Sequence, residues 1–199
     1  PGAWLGNPGP AGDAVFHKSS PGNAALHVAK EAFGLTDNDS PYVYLSDGGH
    51  FENLGLYEMV LRRCHLIVVS DAGCDPDCCL EDLGNAIRKI RIDLGVPIDM
   101  TRFHIHSRKA GVPGRHCAIG EIHYDKVDGP HARRGVLLYI KPAITGDEPR
   151  DVFNYAQTCP EFPHESTGDQ WFSESQFESY RMLGLHTVTE MCQDWELTR

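Results

Sequence analysis

The sequence has no apolar run approaching the roughly 18 residues that a membrane-spanning helix needs, so nothing in it reads as a bilayer span. It has no basic excess either. Lys and Arg number 18 against 28 Asp and Glu, for a net charge of −10, which excludes a general nucleic-acid binder whose affinity comes from neutralising phosphates. It lacks an initiator Met and a signal-peptide pattern, and is expected to be a piece of a longer chain. The seven cysteines form no Cys-x-x-Cys pair and no regular framework. Reduced thiols and a cytoplasmic setting are the expectation. What is present is ordinary globular composition: 199 residues, 41% hydrophobic and 23% charged, enough for one sizeable core.

The charge is uneven. Residues 1–61 carry a net −5, residues 62–141 a net +3 and residues 142–199 a net −8. A solvated face on each segment accounts for this, and a basic face meeting anionic lipid is the sharper alternative. Residues 1–23 hold nine Gly or Pro and read as an irregular leading segment. Asn23 to Phe33 reads as a helix capped by Asn23 and closed by Gly34.

The most informative stretch runs from Tyr42 to Pro76. Tyr42–Ser46 suits a buried strand. A helix is expected over Asn53–Arg63, with Leu54, Tyr57, Val60 and Leu61 on one face. Leu66–Ser70 is a second continuous apolar strand. Strand, helix and strand with short links spell a βαβ unit with parallel strands covered on both faces. A second helix follows, with Asp77 as its cap, Leu83, Ile87, Ile90 and Leu94 as its apolar stripe, and Gly95 and Pro97 closing it. Residues 101–107, 116–125 and 135–141 read as further strands, with a turn at 110–115. Asp151–Gln157 and Ser173–Leu183 read as helices, the second opened by a Ser173/Gln176 capping box. The expected fold is α/β, a mainly parallel sheet with flanking helices, in an incomplete domain with additional strands in 101–141.

Asp47 is the leading candidate for chemistry. It stands where an apolar strand ends and two glycines begin, the carboxyl edge at which open α/β sheets collect ligands. Gly48 and Gly49 remove side chains beside the carboxylate, so a substrate or another backbone can approach. A carboxylate held there can accept a proton from a nucleophilic hydroxyl, or it can simply cap the next element.

Asp47-Gly48-Gly49, the continuation His50-Phe51-Glu52-Asn53-Leu54-Gly55-Leu56-Tyr57-Glu58, then Arg62-Arg63-Cys64 and Val69-Ser70-Asp71-Ala72 together resemble a bacterial branch of the patatin-like phospholipase family. More distantly they resemble the cytosolic phospholipases that share its Ser–Asp core. The stretches at 87–95, 137–149 and 162–172 are similar to the same branch, so the resemblance spans nearly the whole chain. It implies hydrolysis of a lipid or other acyl ester. A Ser in a Gly-x-Ser-x-Gly turn attacks the carbonyl, Asp47 assists it directly without an intervening His, and no cofactor or metal takes part. The implied partners are the ester substrate, a membrane surface reached through a segment outside this chain, and an N-terminal half of the same domain that carries the nucleophile.

The chain departs from that pattern in two decisive respects. None of its serines lies in Gly-x-Ser-x-Gly, and no glycine-rich oxyanion loop opens a helix. Ser46 adjoins Asp47 on the expected strand and should point to the opposite face. The chain therefore supplies the Asp and lacks the nucleophile, and alone should be inactive. His50 is expected to be a loop or substrate-channel residue, and Asn53 a helix cap. Two rival readings stand beside this one. The first is an α/β module that binds without catalysis. The second is a Cys/His metal protein using Cys74, Cys78 and Cys79 with His104, His106, His116 or His123. Paired short spacings typical of zinc sites are missing, and an EF-hand counted from Asp71 fails because Pro76 occupies the position that must be Gly.

Overall fold

A computed structural model describes residues 2–112 and 114–196. The chain divides into two compact units, Pro1–Asn53 and Leu54–Arg199.

The first unit is a two-stranded ribbon with one helix. β1 (Ala3–Gly6) pairs antiparallel with β2 (Tyr42–Leu45), with Trp4 opposite Tyr44 and Leu5 opposite Val43. β1 lies inside the segment expected to be irregular. Its glycine density hid it, because the glycines serve close approach and not disorder. A Cβ on Gly6 would lie 2.0 Å from the Val15 carbonyl oxygen, and one on Gly12 would lie 1.8 Å from that of Asn7. Buried Asn7 ties this loop down, donating from Nδ2 to the carbonyls of Asn38 and Ser40 at 2.8 Å each. Gly6→Ala is expected to destabilise this unit by about 1–3 kcal/mol, the usual cost of forcing atoms into a filled site. Hydrogen exchange at the Leu5 and Val43 amides checks it, and unchanged protection would refute the close approach.

α1 (Ala24–Ala32) follows its sequence signals. The Asn23 side chain accepts from the Leu26 amide at 3.3 Å, and Gly34, at φ +66, sits in the left-handed region just past the helix. Rings join helix to ribbon: His27 lies 5.2 Å from Trp4 and 5.1 Å from Tyr42.

The second unit holds a four-stranded sheet in the order β3-β6-β5-β4, from β3 (Leu66–Ser70), β4 (Ile98–Arg102), β5 (Cys117–Ile122) and β6 (Gly135–Ile140). Only β3 and β6 run parallel. The β4–β5 and β5–β6 ladders are antiparallel. The sheet is thus mixed and mostly antiparallel, where a mainly parallel one was expected. The expected βαβ unit is not formed as read, since β2 bonds to β1 and β3 to β6. An apolar run identifies a strand and says nothing of its neighbour. β4 ends at Arg102, so the alternating Phe103–Ser107 stretch is not strand. The expected 110–115 turn includes Pro113, which lies outside the described residues.

α2 (Leu56–Leu61) and α3 (Glu81–Leu94) carry the buried side chains Leu56, Val60, Leu83, Ala86 and Ile90. These form one core with Ile67, Val69, Ala118, Ile122, Leu137 and Tyr139 of the sheet. α2 starts later than expected because Gly55, at φ +69, holds its N-cap. Its buried face runs through Leu56, and Leu61 is exposed. α3 starts at Glu81, after Leu80 in the left-handed region. Asp77, its expected cap, instead pairs with Lys109 at 2.8 Å. β3 alternates, with Ile67 and Val69 buried while Leu66 and Val68 are 67% and 57% exposed. One face of this edge strand is therefore bare, which corrects the expectation of cover on both.

α4 (Arg150–Thr158) and α5 (Glu174–Glu196) enclose a second cluster of Val152, Ala156, Phe162 and Leu183. The capping box opens α5: Ser173 Oγ accepts from the Gln176 amide at 3.2 Å, and Gln176 Oε1 accepts from that of Ser173 at 3.1 Å. No helix among the described residues is long and apolar enough to cross a membrane.

Candidate active site

β2 ends at Leu45, and Ser46 and Asp47 carry the chain into a 3-10 turn over Gly48–His50. Asp47 is extended, at φ −69 and ψ 157, and its side chain makes no capping bond to that turn. The carboxylate is therefore not consumed by local structure. Its Oδ1 stands 3.2 Å from His50 Nδ1, with both side chains 64% exposed. Ser46 Oγ lies 2.7 Å from the same nitrogen. Ser46 was expected on the face opposite Asp47. Because the strand has already ended, both side chains reach one imidazole.

That geometry decides what the trio can do. A Ser–His–Asp relay uses both ring nitrogens, one facing the nucleophile and the other the carboxylate. Here Ser46 and Asp47 compete for Nδ1 alone. If Nδ1 carries a proton it can serve Asp47; if it is bare it accepts from Ser46. No proton can pass from Ser46 through the ring to Asp47, so the three residues are not a triad.

The two glycines differ. A Cβ on Gly49 would fall 2.7 Å from Asn53 Oδ1 and 3.1 Å from Asp47 Oδ1, whereas one on Gly48 would meet nothing within 4 Å. Gly49 is thus the residue that lets two side-chain oxygens converge on the turn. Asn53 caps no helix, since Gly55 holds that position at α2. The turn brings together Asp47, Gly49, His50 and Asn53 and leaves Gly48 open.

A second charged cluster was not anticipated. Asp71 and Lys141 follow directly on β3 and β6, whose last residues Ser70 and Ile140 are register partners. The two carboxyl ends therefore bring them side by side. Lys141 Nζ is 3.2 Å from Asp71 Oδ2 and 3.9 Å from Asp75 Oδ2, with the Lys141 and Asp71 side chains only 1% and 4% exposed. Tyr139 donates its hydroxyl to Asp71. Burial, with the Asp71 carboxylate beside it, holds that hydroxyl protonated far above its ordinary range. A cavity of about 240 Å³ lies alongside, lined by Gly73, Cys74 and Asp77 among others. The signal was the one that marked Asp47, a charged residue directly after an apolar strand.

All seven cysteines are free thiols, and among the described residues none of them joins a convergent group of three metal donors. Cys74 donates to the His164 carbonyl at 3.0 Å, and burial pushes the half-buried Cys78 thiol up. His123 pairs with Asp99 at 2.9 Å. Among the described residues the donor side chains that do converge are His116, Asp147 and His186. Burial holds the His116 imidazole below its ordinary range, against the opposing pull of Asp147. Of these three, only His116 stood among the sequence candidates. Asp147 and His186 come from a loop and from mid-helix, with no spacing signal to connect them.

No family model matches the chain, and neither a curated protein nor a solved structure matches it.

Proposed function

We propose that this chain supplies the acid half of a patatin-like lipid acyl hydrolase, with Asp47 the base of a Ser–Asp dyad and the nucleophilic Ser in a segment outside it. The observation that carries the reading is the state of Asp47: a carboxylate at the carboxyl end of a strand, on a glycine turn, free of capping duty and open to an incoming group. In the reaction Asp47 takes the proton from the Ser hydroxyl as its oxygen bonds to the ester carbonyl carbon. The protonated carboxyl then returns that proton to the departing alcohol as the ester C–O bond breaks. Water, deprotonated by the same carboxylate, then bonds to the acyl carbon, and the carboxyl returns that proton to the Ser oxygen as the acyl-enzyme C–O bond breaks. A lone carboxylate is a weak base in water, so the segment bearing the Ser must also cover and partly desolvate it.

On this reading the parallel β3–β6 pair belongs to a larger, mainly parallel sheet. The open edge and bare face of β3 are where further strands and their cover would be added. The ester substrate would be lipid, met at a membrane surface. The test is the reading frame upstream of Pro1 together with the activity of the protein it encodes. A Gly-x-Ser-x-Gly turn and hydrolysis of p-nitrophenyl butyrate by the longer protein are expected, with none by the 199-residue chain alone. A frame without that turn, or a longer protein that only binds, would overturn it.

A further inference from the structure

His116 directly precedes β5, and its carbonyl accepts from the Lys141 amide at 2.9 Å, which continues the β5–β6 ladder by one bond. Asp147 sits in the loop between β6 and α4, just after Gly146 at φ +101. His186 lies within α5. Three separate elements of the second unit thus deliver two imidazoles and a carboxylate to one place, with one ligand atom of each within 4.8 Å of the others. His186 Nε2 and Asp147 Oδ1 already stand 3.2 Å apart. Donors about 2.0–2.1 Å from a tetrahedral zinc are about 3.3 Å from one another, so the remaining adjustment is on the order of 1.5 Å.

Two further observations point to a ligand. His116 is only 5% exposed, yet among the described residues its Nδ1 has no partner and its Nε2 reaches only Thr145 Oγ1, at 3.5 Å. The Thr187 hydroxyl, 4% exposed, is also without a partner among the described residues. Buried polar groups left this way cost stability unless something satisfies them. Both residues line a cavity of about 340 Å³, which Asp147 and Glu190 also face. The local charge favours a dication: two carboxylates, Asp147 and Glu190, line the cavity with one guanidinium, Arg115. Thr145 donates its hydroxyl to Asp147 Oδ1, the oxygen that also faces His186 Nε2.

We propose that His116, Asp147 and His186 bind a divalent transition-metal ion of the zinc class, with the remaining coordination position opening into this cavity. Imidazole and carboxylate donors suit that class, and three protein ligands with an open position are the pattern of sites that hold water or a small ligand on the metal.

Calorimetric titration of the metal-free chain with zinc, in a non-thiol reductant, tests it. Saturable binding of one zinc per chain is expected, with Asp147→Asn and His186→Gln each weakening it by about 100-fold or more, since loss of even an outer partner costs about 10–100-fold. The Asp147 side chain is 55% exposed, so Asp147→Asn reads binding without disturbing a core. No saturable uptake, or either variant binding within about threefold of the parent, would overturn the site. The cobalt complex should show d–d absorption without a thiolate charge-transfer band. Such a band would place the ion on cysteines and overturn the donor set.

Discussion

Asp47→Asn, in a protein complete with its nucleophile, is expected to lower kcat for ester hydrolysis by about a thousandfold, within the range of about 10²–10⁴ that a positioned base contributes. The amide is nearly the same shape but cannot take the Ser proton, so KM should change little and the loss should fall on kcat. The unfolding midpoint should not move, because the Asp47 side chain is 64% exposed and caps nothing. His50→Ala provides the contrast. Ser46 and Asp47 share one ring nitrogen, so removing the ring interrupts no relay and should cost only a few-fold. Steady-state kinetics on the two variants check both statements. Equal loss in His50→Ala would restore a relay through the ring, and full activity in Asp47→Asn would remove that carboxylate from the mechanism.

Asp71→Ala is expected to cost about 3–5 kcal/mol, the penalty of leaving a buried charge without its partner. Lys141 is almost wholly enclosed, and its next carboxylate, Asp75, is 3.9 Å away. Asp75 is moreover engaged already, accepting from the Cys79 and Leu80 amides at 2.8 Å each. For a chain of this length such a loss lowers the melting temperature by about 10 °C. The double variant Asp71→Ala/Lys141→Met should recover part of it, since replacing both charges removes the desolvation cost along with the attraction, while the buried Tyr139 hydroxyl still lacks its acceptor. Thermal unfolding followed by circular dichroism separates the cases. A loss below about 1 kcal/mol in the single variant would mean that the pair is hydrated and the packing around Tyr139 looser than described.

Local chemistry was well written into the sequence. Asn23, Gly34, Gly95 and the Ser173/Gln176 pair mark helix ends that the structure keeps, because a cap depends on residues within one turn. Buried Leu83 and Ile90 follow from helical spacing in the same way. Pairing did not follow. Tyr42–Leu45 is a strand, but its partner is a four-residue run in a glycine-rich segment that alternation cannot reveal. A parallel neighbour was inferred from chain order, whereas β5 and β6 form the antiparallel centre of the sheet. Of the site, the Asp47 turn was legible because its residues are contiguous. The Asp71–Lys141 pair and the His116, Asp147, His186 group draw on residues far apart in the chain, and only tertiary packing brings them together.

The edge position of β3 has a further consequence, for solubility. Its outer side presents main-chain amides and carbonyls with no strand beside them among the described residues, and Leu66, Val68 and Val136 form an apolar stripe on the adjoining bare face. The stripe draws two molecules together and the unpaired backbone can then hold them strand to strand. The isolated chain is therefore expected to associate through this strand as its concentration rises. A lysine in place of Val68 is the change that relieves it, for it adds charge to the stripe and leaves the enclosed side of the sheet untouched.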